Sequence, residues 1–240
     1  SDWSSDVALP ICFDRVSFDL IYARQGQTLE AWKAELKEAL SMAIDHLSLY
    51  QLTIEDGTAF GDRYARGKLR GLPEDDTAAD MYLATQDLTA AHGMACYEIS
   101  NHARPGAESR HNLIYWRYGD YAGIGPGAHG RLTLGGVRYA TETHLAPGAW
   151  LQAANAGNGE SLRVPLATED AAAEYLMMGM RLREGLDMVR FTELSGRHLS
   201  ESKLNDLVDL GMVTISEKRL RATAQGRAVL NAVLRDLLMD

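Results

Sequence analysis

A strand–helix–strand pattern between residues 15 and 54 constrains the fold of this 240-residue chain more than any other feature. Arg15 to Tyr22 (RVSFDLIY) is short, β-branched and aromatic, which predicts a buried strand with one acid, Asp19, inside it. A turn at ARQGQT follows, and Thr28 is placed to cap a helix over Leu29 to Ala43, where Leu29, Trp32, Leu36 and Leu40 recur at helical spacing. His46 to Ile54 (HLSLYQLTI) predicts the second strand, closed by Glu55 to Thr58 as a turn. A βαβ unit of this length favours two parallel strands with a right-handed crossover.

Phe60 to Leu72 reads as an irregular basic connection, followed by a helix from Pro73 to about His92 that ends at Gly93. Met94 to Ile99 predicts a third strand, and Leu134-Gly135-Gly136-Val137 the turn of a hairpin. The small, polar run Ala153 to Glu160 suggests a boundary, giving domains 1–158 and 159–240. Beyond it come a helix over Glu169 to Leu182, short helices at 191–194 and 201–210, strands at 212–215 and 219–222, and a final helix from Gln225 to Met239. Helices with a two-stranded wing predict a small winged-helix-like domain.

A net charge of −9 argues against phosphate-driven binding to nucleic acid, and no apolar run approaches the ~20 residues that span a bilayer. Cys12 and Cys96 form no CxxC pair and read as reduced thiols of a cytoplasmic protein, one that can still sit against a membrane surface.

The densest stretch chemically is 97–130, YEISNHARPGAESRHNLIYWRYGDYAGIGPGAHG, which crowds histidines, aromatics and glycines into what must be loops. Gly125, Gly127 and Gly130 spell GxGxxG, but the residues after them suggest hairpin rather than helix, so a dinucleotide site is rejected in favour of close backbone approach. His92, Cys96 and His102 fit no usual zinc spacing. Met177, Met178 and Met180 suit core filling. Arg219 and Arg221 on the wing read as part of a packing module. Asp19 is open between a ligand-binding carboxylate at a strand's C-terminal end and a structural one. HNLIYW is likewise open. His111 offers an imidazole for haem iron and Tyr115-Trp116 flat apolar surface, or His111 and Asn112 cap a loop over a core.

The ordered set HLSLYQLTIEDGT, YEISNHARPG, HNLIYW and DYAGIGPGAHG resembles the HemW family, radical S-adenosylmethionine proteins acting as haem chaperones, from about Phe13 to the C-terminus. The resemblance implies the C-terminal part of a partial (βα)6 radical-SAM barrel followed by a small helical winged-helix-like domain. It also implies that Asp19, Thr53, Ala128 and His129 line an S-adenosylmethionine pocket, and that His111, Asn112, Tyr115 and Trp116 handle haem, with His111 contacting iron. By the same resemblance, the parent protein would hold a [4Fe-4S] cluster and S-adenosylmethionine and pass haem to respiratory apoproteins. The alternative is oxygen-independent coproporphyrinogen III oxidase.

Two departures stand out. Ala23-Arg24-Gln25 replace the family's Gly-Leu-Pro, and the CxxxCxxC cluster motif is missing. Two cysteines cannot supply three thiolates, so the chain alone is expected to be inactive in radical chemistry. It is expected to be a fragment of a longer protein whose open barrel edge is covered by a homodimer or by the N-terminal half.

Overall fold

The computed structural model describes residues 15–238, which form two compact units, 15–109 and 110–238. The first is built on β1 (Ser17–Tyr22), α1 (Leu29–Met42) and β2 (His46–Gln51). The two strands pair in parallel, Ser17 with His46 through Tyr22 with Gln51, as the βαβ reading expects. Thr28 caps α1, its side chain accepting from the Ala31 N–H at 3.1 Å.

Phe18, Leu20 and Tyr22 turn to the helices, while Ser17, Asp19 and Ile21 are exposed on the opposite face. Trp32 anchors the core fully buried. It stacks on Tyr22 with ring centroids 5.0 Å apart and donates its indole N–H to Thr85 Oγ1 at 2.8 Å. Thr85 lies on α3 (Asp75–Ala91), which packs against α1 and contributes Met81 and Tyr82 to the same core.

The structure departs from expectation in several places. The connection after residue 58 contains a helix, α2 (Ala59–Ala65), capped by Thr58. Its basic residues masked the cap. The third strand is only β3 (Ala95–Cys96), and the chain turns back as β4 (Asn101–Ala103), which inserts between β2 and β3 and runs antiparallel to both. The reversal is held by Glu98, whose Oε1 accepts from the Ser100 N–H at 2.8 Å and from the Asn101 amide. A buried carboxylate bonded in this way closes a tight turn that strand propensity does not reveal.

In the second unit, α4 (Arg110–Trp116) precedes a sheet of β5 (His129–Leu134), β6 (Val137–Thr143) and β7 (Glu160–Pro165). The predicted hairpin forms, Leu134 facing Val137, with Gly135 and Gly136 at φ 58° and 82°. Positive φ at both central residues is the turn geometry that suits a two-residue hairpin. The run 153–160 ends α5 (Pro147–Asn155) and begins β7.

After this come α6 (Thr168–Gly179), β8 (Leu186–Asp187), α7 (Met188–Ser195) and α8 (Glu201–Asp209). The hairpin β9 (Val213–Ser216) and β10 (Arg219–Ala222) follows, with β10 in the middle of a three-stranded sheet, β8-β10-β9. The final helical run breaks at Val229 into α9 (Ala224–Ala228) and α10 (Leu230–Leu238). Met180 is buried whereas Met177 is 41% exposed, so only part of the methionine cluster fills core. No described helix is long and apolar enough to cross a membrane.

Candidate functional site

In the first unit, the exposed face of β1 carries Asp19 between Ser17 and Ile21. Two expectations are corrected here. Asp19 is third of six residues in its strand rather than at the C-terminal end, and it is exposed rather than buried, because period-two alternation turns it away from the helices. Thr53 lies two residues beyond the end of β2 rather than on the strand, exposed, its hydroxyl donating to the Gln51 carbonyl at 3.3 Å.

The neighbouring positions carry polar groups that local pattern did not single out. His46 pairs in register with Ser17 and bridges its hydroxyl (2.7 Å) and that of Tyr97 (2.9 Å). Burial lowers the His46 pKa against the opposing pull of Asp45 and Asp19, which keeps the imidazole neutral near pH 7. Asp19 itself faces Ser48 across the ladder. Only the parallel register brings Ser17, Asp19, His46 and Ser48 together; no motif in one strand announces it.

The loop at Ala23 carries one departure from the pattern that the resemblance implies. Ala23 is buried and adopts φ 57°, a left-handed conformation that favours glycine. Arg24 compensates with a two-point pair to Glu35 (3.0 and 2.6 Å), and Gln25 donates to the Arg70 carbonyl at 2.7 Å.

The three residues considered for zinc have separate occupations. His92 is bound to the Leu88 carbonyl, the Cys96 thiol donates to the Glu98 carbonyl, and buried His102 bonds Thr89 Oγ1 at 2.9 Å. No cluster of three metal-ligating side chains occurs among the described residues.

In the second unit, α4 presents His111 exposed, with no hydrogen-bond partner on either ring nitrogen among the described residues. Its ring meets Tyr115 edge-on at 4.9 Å, and Tyr115 meets Tyr121 at 4.5 Å. His111 and Tyr115 are four residues apart and so share one helix face, beside the 44%-exposed Ile114. A free imidazole bordered by aromatic and aliphatic surface fits the requirements of a haem contact.

Trp116, five residues after His111, falls about 140° around the helix. Its ring lies beneath the Arg181 guanidinium (4.5 Å) and lines a cavity, so it does not share the His111–Tyr115 face. Asn112 is half-buried and already engaged in an interaction.

The glycine loop is followed by strand β5, not by a helix, as expected for a false dinucleotide motif. Close approach is realised at Gly123 and Gly130. A Cβ on Gly123 would lie 2.6 Å from the His129 carbonyl oxygen, and one on Gly130 would strike Thr141 Oγ1. Thr143 pins the loop. It receives the Ala128 N–H at 2.8 Å, donates to the Gly125 carbonyl, and sends its own N–H to the Ala128 carbonyl at 2.9 Å. Ala128 therefore has its backbone N–H already committed. His129 is exposed and 3.7 Å from Glu142, its cross-strand partner. Asp19 and Thr53 belong to one unit, Ala128, His129 and the α4 residues to the other.

The sequence model of the HemN C-terminal domain matches residues 166–229. The protein described as "Heme chaperone HemW" of Bacillus subtilis (strain 168) is 35% identical over 96% of this chain and 60% of its own length. The HemW of Lactococcus lactis is 34% identical over 95% and 59%. "Radical S-adenosyl methionine domain-containing protein 1, mitochondrial" of Danio rerio is 34% identical over 97% and 55%.

Among solved structures, "Coproporphyrinogen III oxidase (HemN) from Escherichia coli is a Radical SAM enzyme" superposes with TM-score 0.70 at 20% identity, over 96% of this chain and 56% of that one. That likeness establishes the fold as the C-terminal region of the radical-SAM architecture. The chain spans little more than half the length of the relatives it matches. On motifs, near-complete coverage of this chain and fold together, the chain is similar to the C-terminal part of the HemW proteins.

Proposed function

We propose that this chain is the haem-handling part of a haem chaperone, with His111 as the iron contact and Tyr115 and Ile114 as apolar surface beside the macrocycle. The observation that carries the reading is the His111 imidazole, exposed, without a hydrogen-bond partner among the described residues and edge-on to Tyr115. A neutral imidazole not engaged elsewhere is the ligand haem iron takes from protein. The likeness to proteins described as haem chaperones supports it.

Haem is cargo in this reading, to be handed to respiratory apoproteins. Asp19, exposed beside Ser17, supplies a carboxylate acceptor for an S-adenosylmethionine amine or ribose, with Thr53, Ala128 and His129 as the other candidate contacts. A [4Fe-4S] cluster does not fit this chain's own residues. Only Cys12 and Cys96 are present, the Cys96 thiol is buried against the Glu98 carbonyl, and three thiolates are required.

A haem titration of the purified chain, followed at the Soret band, tests the reading. Saturable one-to-one binding that weakens at least about tenfold in His111→Ala, a loss of about 1.4 kcal/mol, supports it. Equal affinity in the variant removes the role of His111. The oxidase alternative makes a different prediction, that the full-length gene restores growth to an oxidase-deficient strain.

A further inference from the structure

On the side of α4 away from His111 lies a cavity of about 290 Å³, lined by Trp116, Tyr175, Glu184, Asp187, Arg190 and Arg219 among others. Its two acids are already committed. Glu184 receives both Nε and Nη2 of Arg117 at 2.8 Å, which holds its carboxyl below the usual carboxylate range. Asp187 caps α7, accepting from the Val189 and Arg190 N–H groups at 2.9 and 3.2 Å.

The cations keep capacity. Arg190 donates to the carbonyls of Arg117 (2.9 Å) and Tyr118 (3.2 Å), and Arg219 to that of Gly185 (3.1 Å). The carboxylate paired with Arg219 is Asp187, 4.0 Å away. A guanidinium has five N–H donors, so both arginines have donors and charge to spare. The Trp116 indole N–H is buried with no partner among the described residues.

We infer that this cavity binds a carboxylate, with the guanidiniums of Arg190 and Arg219 as its donors. Charge selects the ligand class. Arg117, Arg190 and Arg219 give three positive charges against two negative ones from Glu184 and Asp187, an excess of one, which matches a monoanion better than a phosphate dianion. The guanidinium fork also matches the planar carboxylate edge. The carboxylate can come from a small free organic acid or from a propionate arm of a porphyrin. The site does not depend on haem being the cargo; the porphyrin source does.

The test uses the ¹⁵N-labelled chain, with the Trp116 indole resonance identified among the four tryptophans by its loss in Trp116→Phe. Acetate and propionate are titrated against chloride at equal ionic strength. The site predicts a saturable shift of the Trp116 indole with the carboxylates and none with chloride. Affinity for acetate or propionate, measured by calorimetry, should fall about 10- to 100-fold in Arg190→Gln, the range for removing a hydrogen bond to a charged acceptor. Arg219→Gln, half-buried at the start of β10, should weaken binding while keeping the indole signal.

An indole that does not move in the folded chain overturns the inference, as does unchanged affinity in both variants. Haem and its dimethyl ester then separate the sources. An indole shift with haem and not with the ester assigns a propionate. Saturation by acetate or propionate with no haem-induced shift assigns a free acid. A failure of haem binding with acetate binding intact would refute the chaperone reading and leave this site standing.

Discussion

His102 offers a sharp test of how burial governs the first unit. It lies fully buried on β4, and its Nδ1 bonds Thr89 Oγ1 at 2.9 Å. The Thr89 hydroxyl spends its own proton on the Thr85 carbonyl (2.8 Å), so Nδ1–H is the donor and Nε2 is left without a partner. Burial, helped by nearby His46, lowers the His102 pKa from 6.5 to about 4. The sign follows by linkage. Between the two values the unfolded chain takes up a proton that the folded chain refuses, so the stability is present above pH 6.5 and is lost as pH falls towards 4.

At about pH 5 the loss amounts to roughly 2 kcal/mol, from 1.36 kcal/mol per unit over about 1.5 units of effective difference. His102→Leu should cost about 1 kcal/mol near neutral pH through the lost hydrogen bond, and should recover roughly 2 kcal/mol relative to the parent near pH 5. The pull of His46 has the same sign but is common to both proteins and largely cancels. Urea unfolding of both chains at the two pH values, with an imidazole titration followed by NMR, measures this. A His102 ring that titrates near 6.5 in the folded protein, or a pH dependence unchanged in the variant, would refute the reasoning.

Two further outcomes follow from other sites. Glu174 receives Arg131 at 2.7 Å and the Tyr118 hydroxyl at 3.0 Å; burial would raise its pKa, but these bonds outweigh burial and hold it below the usual value. Glu174→Gln should cost about 1–3 kcal/mol in thermal or urea unfolding near neutral pH. The parent should lose that advantage as pH falls through the depressed carboxyl value; equal stability of the two proteins near neutral pH would count against it. Ala23→Gly should stabilise the chain or leave it unchanged, by up to about 1 kcal/mol, because the left-handed conformation at φ 57° penalises a Cβ. A clear destabilisation in denaturant unfolding would show that the buried methyl outweighs the backbone strain.

The strands and helices were legible wherever local chemistry and periodicity agree. Ser17 to Tyr22, the Thr28 cap, α1 and the two-glycine hairpin follow from side-chain alternation, capping and φ preference, which act over a few residues. The likeness to the HemW proteins, too, was legible, because several uncommon motifs occur in order. What sequence left undecided depends on which face a residue takes and what meets it there. Asp19 read as buried because its neighbours are apolar, yet the parallel pairing of β1 with β2 turns it outward beside Ser17 and His46.

HNLIYW read as one surface, but helical geometry splits it. His111 and Tyr115 share a face, while Trp116 turns under Arg181 towards a cavity shared with β8, α7 and β10. The antiparallel insertion of β4 rests on a buried Glu98–Asn101 bond. Sequence determined the elements and the kinship, because those are written in short-range spacing. Tertiary structure decided burial, partners and the grouping of polar atoms, because contacts between residues distant in the chain exist only after the strands are in register and the helices are packed.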